Sequence, residues 1–189
     1  MPIEGRILLA HALGCDRSWL AAHGDAVLSP AQTATFDTLA RRRHNGEPVA
    51  FLTGRREFFG IDLEITPDVL IPRPETELLV EAALERIGDG AAARILDLGS
   101  GSGAVALAIA QQRPRASVLG VDVSAQSVAL ARRNALRLRI SNADFLQSDW
   151  FVRVPREASS IIVGNPPYVE DFDPHLHEGD LRFEPPVAL

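Results

Sequence analysis

Arg94-Ile95-Leu96-Asp97-Leu98-Gly99-Ser100-Gly101-Ser102-Gly103 is the stretch on which the fold turns. Ile95 to Leu98 is a short apolar run of the kind that forms a buried strand. The alternating glycines behind it let the backbone turn tightly and approach a ligand. The following helix, Ala104 to Gln111, presents free N–H groups at its start. The pattern then repeats. Val118 to Val123 reads as a second strand, and Ser124 to Leu138 as a second helix capped by Ser124 with Val128 and either Ala131 or Ala135 inward. Ala143 to Leu146 reads as a third strand and Ser160 to Val163 as a fourth. Strands alternating with helices predict an α/β fold, a parallel sheet covered on both faces.

Upstream of this pattern the spacing is different. Ile7, Leu8, Trp19, Leu20, Phe36 and Leu39 recur at helical intervals, so short helices are expected as far as about Val49. Ser29-Pro30 opens one of them, with Ser29 as cap and proline at the first helical position. Arg41 to His44 suit its C-terminus, and Asn45-Gly46 stops it. The arginine run is read as a solvated last turn rather than a site for an acidic or RNA partner. Ile61, Leu63 and Ile65 alternate with Asp62 and Glu64 around Gly60, which predicts a hairpin. Pro67, Pro72 and Pro74 punctuate the chain before a helix starting at Pro74 with a stripe at Leu79, Ala83 and Ile87.

Composition narrows the classes. The 189 residues are 46% hydrophobic and 23% charged, which excludes collagen-like and disordered chains. A net charge of −6 speaks against binding held by nucleic-acid phosphates. No apolar stretch is long enough to span a bilayer, and the N-terminal apolar run is too short for a signal peptide. Cys15 is the single cysteine, so no internal disulfide forms and a cytoplasmic location is expected; the residue itself reads as a small helix-packing side chain. All nineteen basic residues are arginine, which removes lysine-dependent chemistry.

Charge identifies the ligand class. Asp122 ends the second strand nineteen residues past Gly103, where a carboxylate can accept both hydroxyls of a ribose. Asp97 stands two residues before the glycine loop, where it would face the pyrophosphate of a dinucleotide. Two such charges repel by about 3 to 4 kcal/mol at an effective dielectric near 20, which disfavours NAD. A cofactor with a cationic end fits instead. S-adenosylmethionine has a sulfonium and an α-amine, so Asp97 can serve the amine while Asp122 holds the sugar. A purely structural Asp97, capping amides of the loop, is the competing reading.

The second constellation is Gly164-Asn165-Pro166-Pro167-Tyr168, directly after the fourth strand. Two prolines remove two donors and stiffen the backbone, so the loop offers carbonyl oxygens. With the Asn165 carboxamide oxygen there are two acceptors for the two protons of a planar –NH2, and Tyr168 can stack on that plane. Such acceptors aim the nitrogen at a methyl group and stabilise the positive charge that develops on it.

These residues carry a family resemblance. Asp97 to Gly103 resembles the first motif of class I S-adenosylmethionine-dependent methyltransferases, and Asn165 to Tyr168 the motif of those that methylate amide or amino nitrogens. Gly46 to Val49, Gly54 to Phe58, Leu70 to Glu77, Gln147 to Phe151 and Arg182 to Pro185 narrow it further. From about Arg41 to Leu189 the chain is similar to the peptide chain release factor glutamine-N5 methyltransferases, the PrmC/HemK family. The resemblance implies a Rossmann-like, doubly wound sheet in strand order 3-2-1-4, incomplete here, behind a small helical N-terminal domain. It divides the chain into a substrate-docking part over 1–52, a hairpin linker over 53–73 and a methyltransferase domain over 74–189. It implies that Gly99, Ser100, Gly101, Ser102, Gly103, Asp122, Trp150 and Asn165 contact the cofactor, Trp150 beside the adenine. It implies that Asn165, Pro166, Pro167 and Tyr168 hold the glutamine amide of the Gly-Gly-Gln loop of class I release factors.

One departure stands out. The family's sheet continues past Glu184 to Leu189 into further strands, so the fourth strand is expected as a raw edge, from an incomplete gene product or covered by another chain. Two other readings compete: an adenine-N6 DNA or RNA methyltransferase, and a non-catalytic remnant that binds only cofactor or partner. His175 and His177 lack a third ligand and read as loop residues, with no metal expected.

Overall fold

The computed structural model describes residues 3–156, 159–167, 173 and 179–188. It opens with four helices, α1 (Ile3–Leu13), α2 (Arg17–Ala22), α3 (Pro30–His44) and α4 (Val49–Thr53). Leu8, Leu39 and Leu52 form their small core, with Phe36 and Val49 packed against it. The cap read at Ser29 is a full capping box: its hydroxyl accepts from Gln32 N, and the Gln32 side chain accepts from Ser29 N at 2.9 Å. The arginine run is not simply solvated. Arg42 pairs with Glu47, and Arg43 bridges Glu4 of α1 and Asp180 near the chain end, each at 3.0 Å. Sequence distance hid these partners. Cys15 lies between α1 and α2 rather than in a helix, its N–H closing a turn on the Ala10 carbonyl.

Strands β1 (Arg55–Phe58) and β2 (Ile61–Glu64) form the hairpin. Its two-residue loop, Phe59-Gly60, has positive φ at both positions, the geometry whose twist matches that of the flanking strands. Ile61 and Leu63 are buried, while Asp62 and Glu64 reach outward to Arg55 and Arg133. The helix expected from Pro74 begins later: Pro74–Thr76 is a 3-10 turn, and α5 is Glu77–Arg86. The shift rotates its buried face to Val80, Ala83 and Ile87, with Leu79 at the margin.

The parallel sheet contains β3 (Arg94–Leu98), β4 (Ser117–Asp122), β5 (Ala143–Gln147) and β6 (Ile161–Gly164), with α6 (Ala104–Gln112) and α7 (Ala125–Leu138) as crossovers. Its order is β5-β4-β3-β6, the 3-2-1-4 arrangement. The helices α5, α6 and α7 cover the face bearing Ile95, Val118, Phe145 and Val163. Helices on both faces were expected. Two successive right-handed crossovers that step the same way along a sheet put both helices on one side. The opposite face holds Leu96, Leu98 and Val121, with Ile162 still 54% exposed on β6. Among the described residues β6 pairs only with β3, and no helix is long and apolar enough to cross a membrane.

The construction direction reverses at β3: the chain steps to β4 and β5, then returns to its other side. A crevice opens at the carboxyl ends of the strands where that happens. Close packing supports it from below. A Cβ at Gly120 would stand 2.6 Å from the Phe145 ring, so only glycine lets β4 and β5 carry that ring beneath the loop.

One buried amide joins the layers. Asn134 of α7 has no exposed surface; its Oδ1 accepts from Glu64 N at 2.8 Å, and its Nδ2 donates to the carbonyls of Glu64 and Ser102 at 3.0 Å. Asn134→Leu would strand three backbone groups away from water. It is expected to lower the unfolding free energy by about 3 kcal/mol, read from urea denaturation.

Candidate active site

The loop after β3 is held from beneath by β4. The N–H groups of Gly99 and Ser100 both donate to the Val121 carbonyl, and Gly103 N donates to Ser100 O at 2.7 Å. Gly99, Gly101 and Gly103 all have positive φ, which lets the chain fold over the strand ends without strain. Asp97 sits under the loop, 2% exposed, and accepts from Ala106 N in the first turn of α6 at 3.2 Å. The competing structural reading placed this carboxyl on amides of the loop; its backbone donor is instead Ala106 of α6. Burial pushes its carboxyl up to about 7; the Ala106 N–H opposes this, and the nearby charge of Asp122 adds to it.

Asp122 ends β4 in a different setting. One oxygen accepts from Gly101 N at 2.8 Å and the other from Ser124 N at 2.9 Å. The carboxylate therefore ties the glycine loop to the start of α7. A carboxylate has about four lone-pair sites, so two remain for ligand hydroxyls.

Two adjoining cavities lie above these groups. The larger, about 240 Å³, is bordered by Gly99, Gly101, Asp122, Trp150, Asn165, Pro166 and Pro167. The smaller, about 50 Å³, is bordered by Asp97, Ser100, Ser102, Gly99, Gly101 and Asn165. Gly99, Gly101 and Asn165 belong to both walls. Gly103 belongs to neither: its Cβ position is filled by Phe145, Ala131 and Leu107 at 3.0 to 3.1 Å, so it serves helix packing. Tyr168, His175 and His177 lie outside the described residues, and among those described no group of metal-ligating side chains assembles.

Asn165 follows β6, and its Nδ2 donates to Thr76 Oγ1 at 3.4 Å. That bond uses one of the two N–H donors and orients the carboxamide, whose Oδ1 is an acceptor. Trp150 has φ of 44° and is 54% exposed on the cavity rim. Its turn is pinned by Ser148, whose hydroxyl donates to Trp150 O and accepts from Arg153 N, each at 3.0 Å. Ser148 and the wall formed by Asp68, Val69 and Leu70 were not singled out from sequence as site residues. Proline punctuation marked the 67–74 segment as irregular, but nothing local says which cavity an irregular segment borders.

The donor set fits S-adenosylmethionine. Ser100 Oγ is buried without a hydrogen-bond partner, and it borders the smaller cavity with the Asp97 carboxyl. A buried hydroxyl and a buried carboxyl side by side suit the amino-acid end of a ligand with a cationic amine.

The chain is similar to known proteins over nearly its whole length. Residues 2–54 match the model of the PrmC N-terminal domain, and residues 74–178 that of the methyltransferase small domain. The release factor glutamine methyltransferase of Xylella fastidiosa is 49% identical over 187 residues, covering 99% of this chain and 68% of the relative. The Escherichia coli protein of the same name is 48% identical over 186 residues, covering 98% and 67%. Among solved structures, the Thermus thermophilus 16S rRNA N2 G1207 methyltransferase in complex with AdoMet and guanosine aligns with a TM-score of 0.52 at 31% identity, over 61% of this chain and 32% of that one.

Asp97 also sets a pH dependence. Its folded-state carboxyl titrates near 7 and its unfolded one near 3.8. The stability tied to its bound proton is full below the ordinary carboxylate range and is lost as pH rises through about 7. Asp97→Asn keeps an acceptor for Ala106 N without the charge. In the cofactor-free protein it is expected to raise the melting temperature at about pH 8 and by much less at about pH 4, followed by calorimetry.

Proposed function

The chain belongs to the release factor glutamine methyltransferase family, and from that premise we propose that it methylates the side-chain amide nitrogen (N5) of the glutamine in the Gly-Gly-Gln loop of class I peptide chain release factors. Its cofactor is S-adenosylmethionine, which supplies, when bound, a methyl group on a positively charged sulfur. The observation that carries the reading is that Asn165 borders both cavities with its Nδ2 oriented by Thr76, since its Oδ1, an acceptor, is then left without a protein donor among the described residues.

In this reading Asp97, with Ser100 and Ser102, receives the methionyl amine, and Gly99 and Gly101 allow its close approach. Asp122 accepts the ribose hydroxyls, and Trp150 lies along the adenine. Asn165 Oδ1 and the backbone oxygen of Pro166 accept the two protons of the glutamine NH2. Pro167 and Tyr168 flank its plane. Held this way, the amide nitrogen keeps one approach direction, and the acceptors interact more strongly as it becomes positive during transfer. The surplus proton then leaves to solvent, so no side-chain base is needed. Residues 1–52 would dock the factor, 53–73 link, and 74–189 carry out the transfer. Between α1 and α2 a cleft of about 690 Å³, lined by Ile7, Leu13, Trp19 and Leu20 with Arg6 and Arg17, is available for docking.

Labelled methyl groups should pass from S-adenosylmethionine to a purified release factor and not to DNA. Counts in DNA, or silence in both acceptors, would remove this reading. Asn165→Ala should cut transfer at least about a hundredfold while cofactor affinity, by calorimetry, changes far less. Because a cationic amine favours the ionised form of Asp97, cofactor affinity should rise as pH increases toward about 7 and fall again above about 8, where the ligand's own α-amine loses its proton. A flat profile would take Asp97 out of the cofactor site.

A further inference from the structure

Residues 179–188 run from the N-terminal helices to the rim of the larger cavity. Asp180 pairs with Arg43 of α3, and Arg182 donates to the Asn45 carbonyl. At the other end Ala188 borders the cavity. Between them stands Glu184, whose side chain has no exposed surface. A carboxylate taken so far out of water persists only where specific partners hold it. Glu184 has two: Oε1 meets the Arg73 guanidinium at 2.6 Å, and Oε2 accepts from Ile71 N at 3.1 Å.

Those partners belong to a segment with no regular structure of its own. Pro67, Pro72 and Pro74 remove three donors between β2 and α5, so no ladder fixes the path of residues 70–73. The same segment forms the shared wall of both cavities. Leu70 borders both, Pro72, Arg73 and Thr76 border the smaller, and Thr76 Oγ1 accepts from Asn165 Nδ2.

We infer that Glu184 is a positioning residue for methyl transfer: by gripping Ile71 and Arg73 it sets the wall that carries Leu70 against the cofactor and Thr76 against Asn165. The inference rests on the methyl-transfer reading above and adds to it a residue 111 positions from the arginine it holds. A buried carboxylate with a merely structural role would alter stability and leave the kinetics of the folded protein unchanged.

Glu184→Gln tests this with little change of volume, because the amide oxygen still accepts from Ile71 N while the charge facing Arg73 is gone. In the full chain with an intact release factor, kcat is expected to fall about tenfold, with KM for the factor within about twofold. Calorimetry without any protein acceptor should show cofactor binding about fivefold weaker, through Leu70. Thr76→Val should lower kcat as well, and the double variant should be no slower than the slower single one, since both act through Asn165. Unchanged kcat and cofactor affinity in Glu184→Gln, a lowered melting temperature alone, or losses that multiply in the double variant would each overturn the inference. If the unaltered protein fails to methylate the factor, the methyl-transfer reading falls, and the cofactor titration still judges Glu184.

Discussion

Asn134 holds three parts of the molecule at one spacing. Its amide is saturated by the backbone of Glu64 on the hairpin and of Ser102 in the glycine loop, and it is wholly enclosed on α7. A buried amide in this position tolerates neither a shift of the hairpin register nor a lift of the loop, because either leaves polar groups unpaired in the interior. The glycine loop therefore inherits its height from an element outside the sheet. The hairpin between the N-terminal helices and the sheet is a brace as well as a connection.

The two carboxylates at the ends of β3 and β4 show how position divides the work between like residues. Asp122 receives two backbone N–H bonds and opens to the larger cavity, while Asp97 receives one and is buried beneath the loop at the wall of the smaller cavity. Burial makes Asp97 costly to ionise in the empty protein, and a cationic ligand group would relieve that cost. The stored penalty becomes selectivity for a positively charged ligand over an anionic one. The same logic applies to Ser100 Oγ, a buried hydroxyl without a protein partner.

Charge also stitches the ends of the chain together. Arg43 was legible as a helix-terminal cation, yet its partners Glu4 and Asp180 lie 39 and 137 residues away. Arg73 and Glu184 repeat the pattern on the active-site side. Between these two pairs the segment after residue 179 spans from the helical region to the wall of the cavities, so displacement at one end meets resistance at the other.

Local sequence determined the elements whose cause is local. Ser29-Pro30 specified a helix start, Gly60 with the alternation of Ile61, Leu63 and Ile65 a hairpin, and apolar runs followed by glycine or Asn-Pro-Pro the strands and the loops behind them. These signals work because capping, turn geometry and side-chain alternation act within a few residues. Asp97, Asp122 and Asn165 could be picked out because they sit at fixed offsets from those strands. Tertiary structure alone decided that Gly103 packs instead of lining a cavity, that Asp97 caps α6, and that α5, α6 and α7 share one face of the sheet. It also decided which backbone and side-chain groups Asn134, Ser148, Thr76 and Glu184 meet. Their roles depend on which distant backbone groups are left unpaired once the layers close, and no short window of sequence records that.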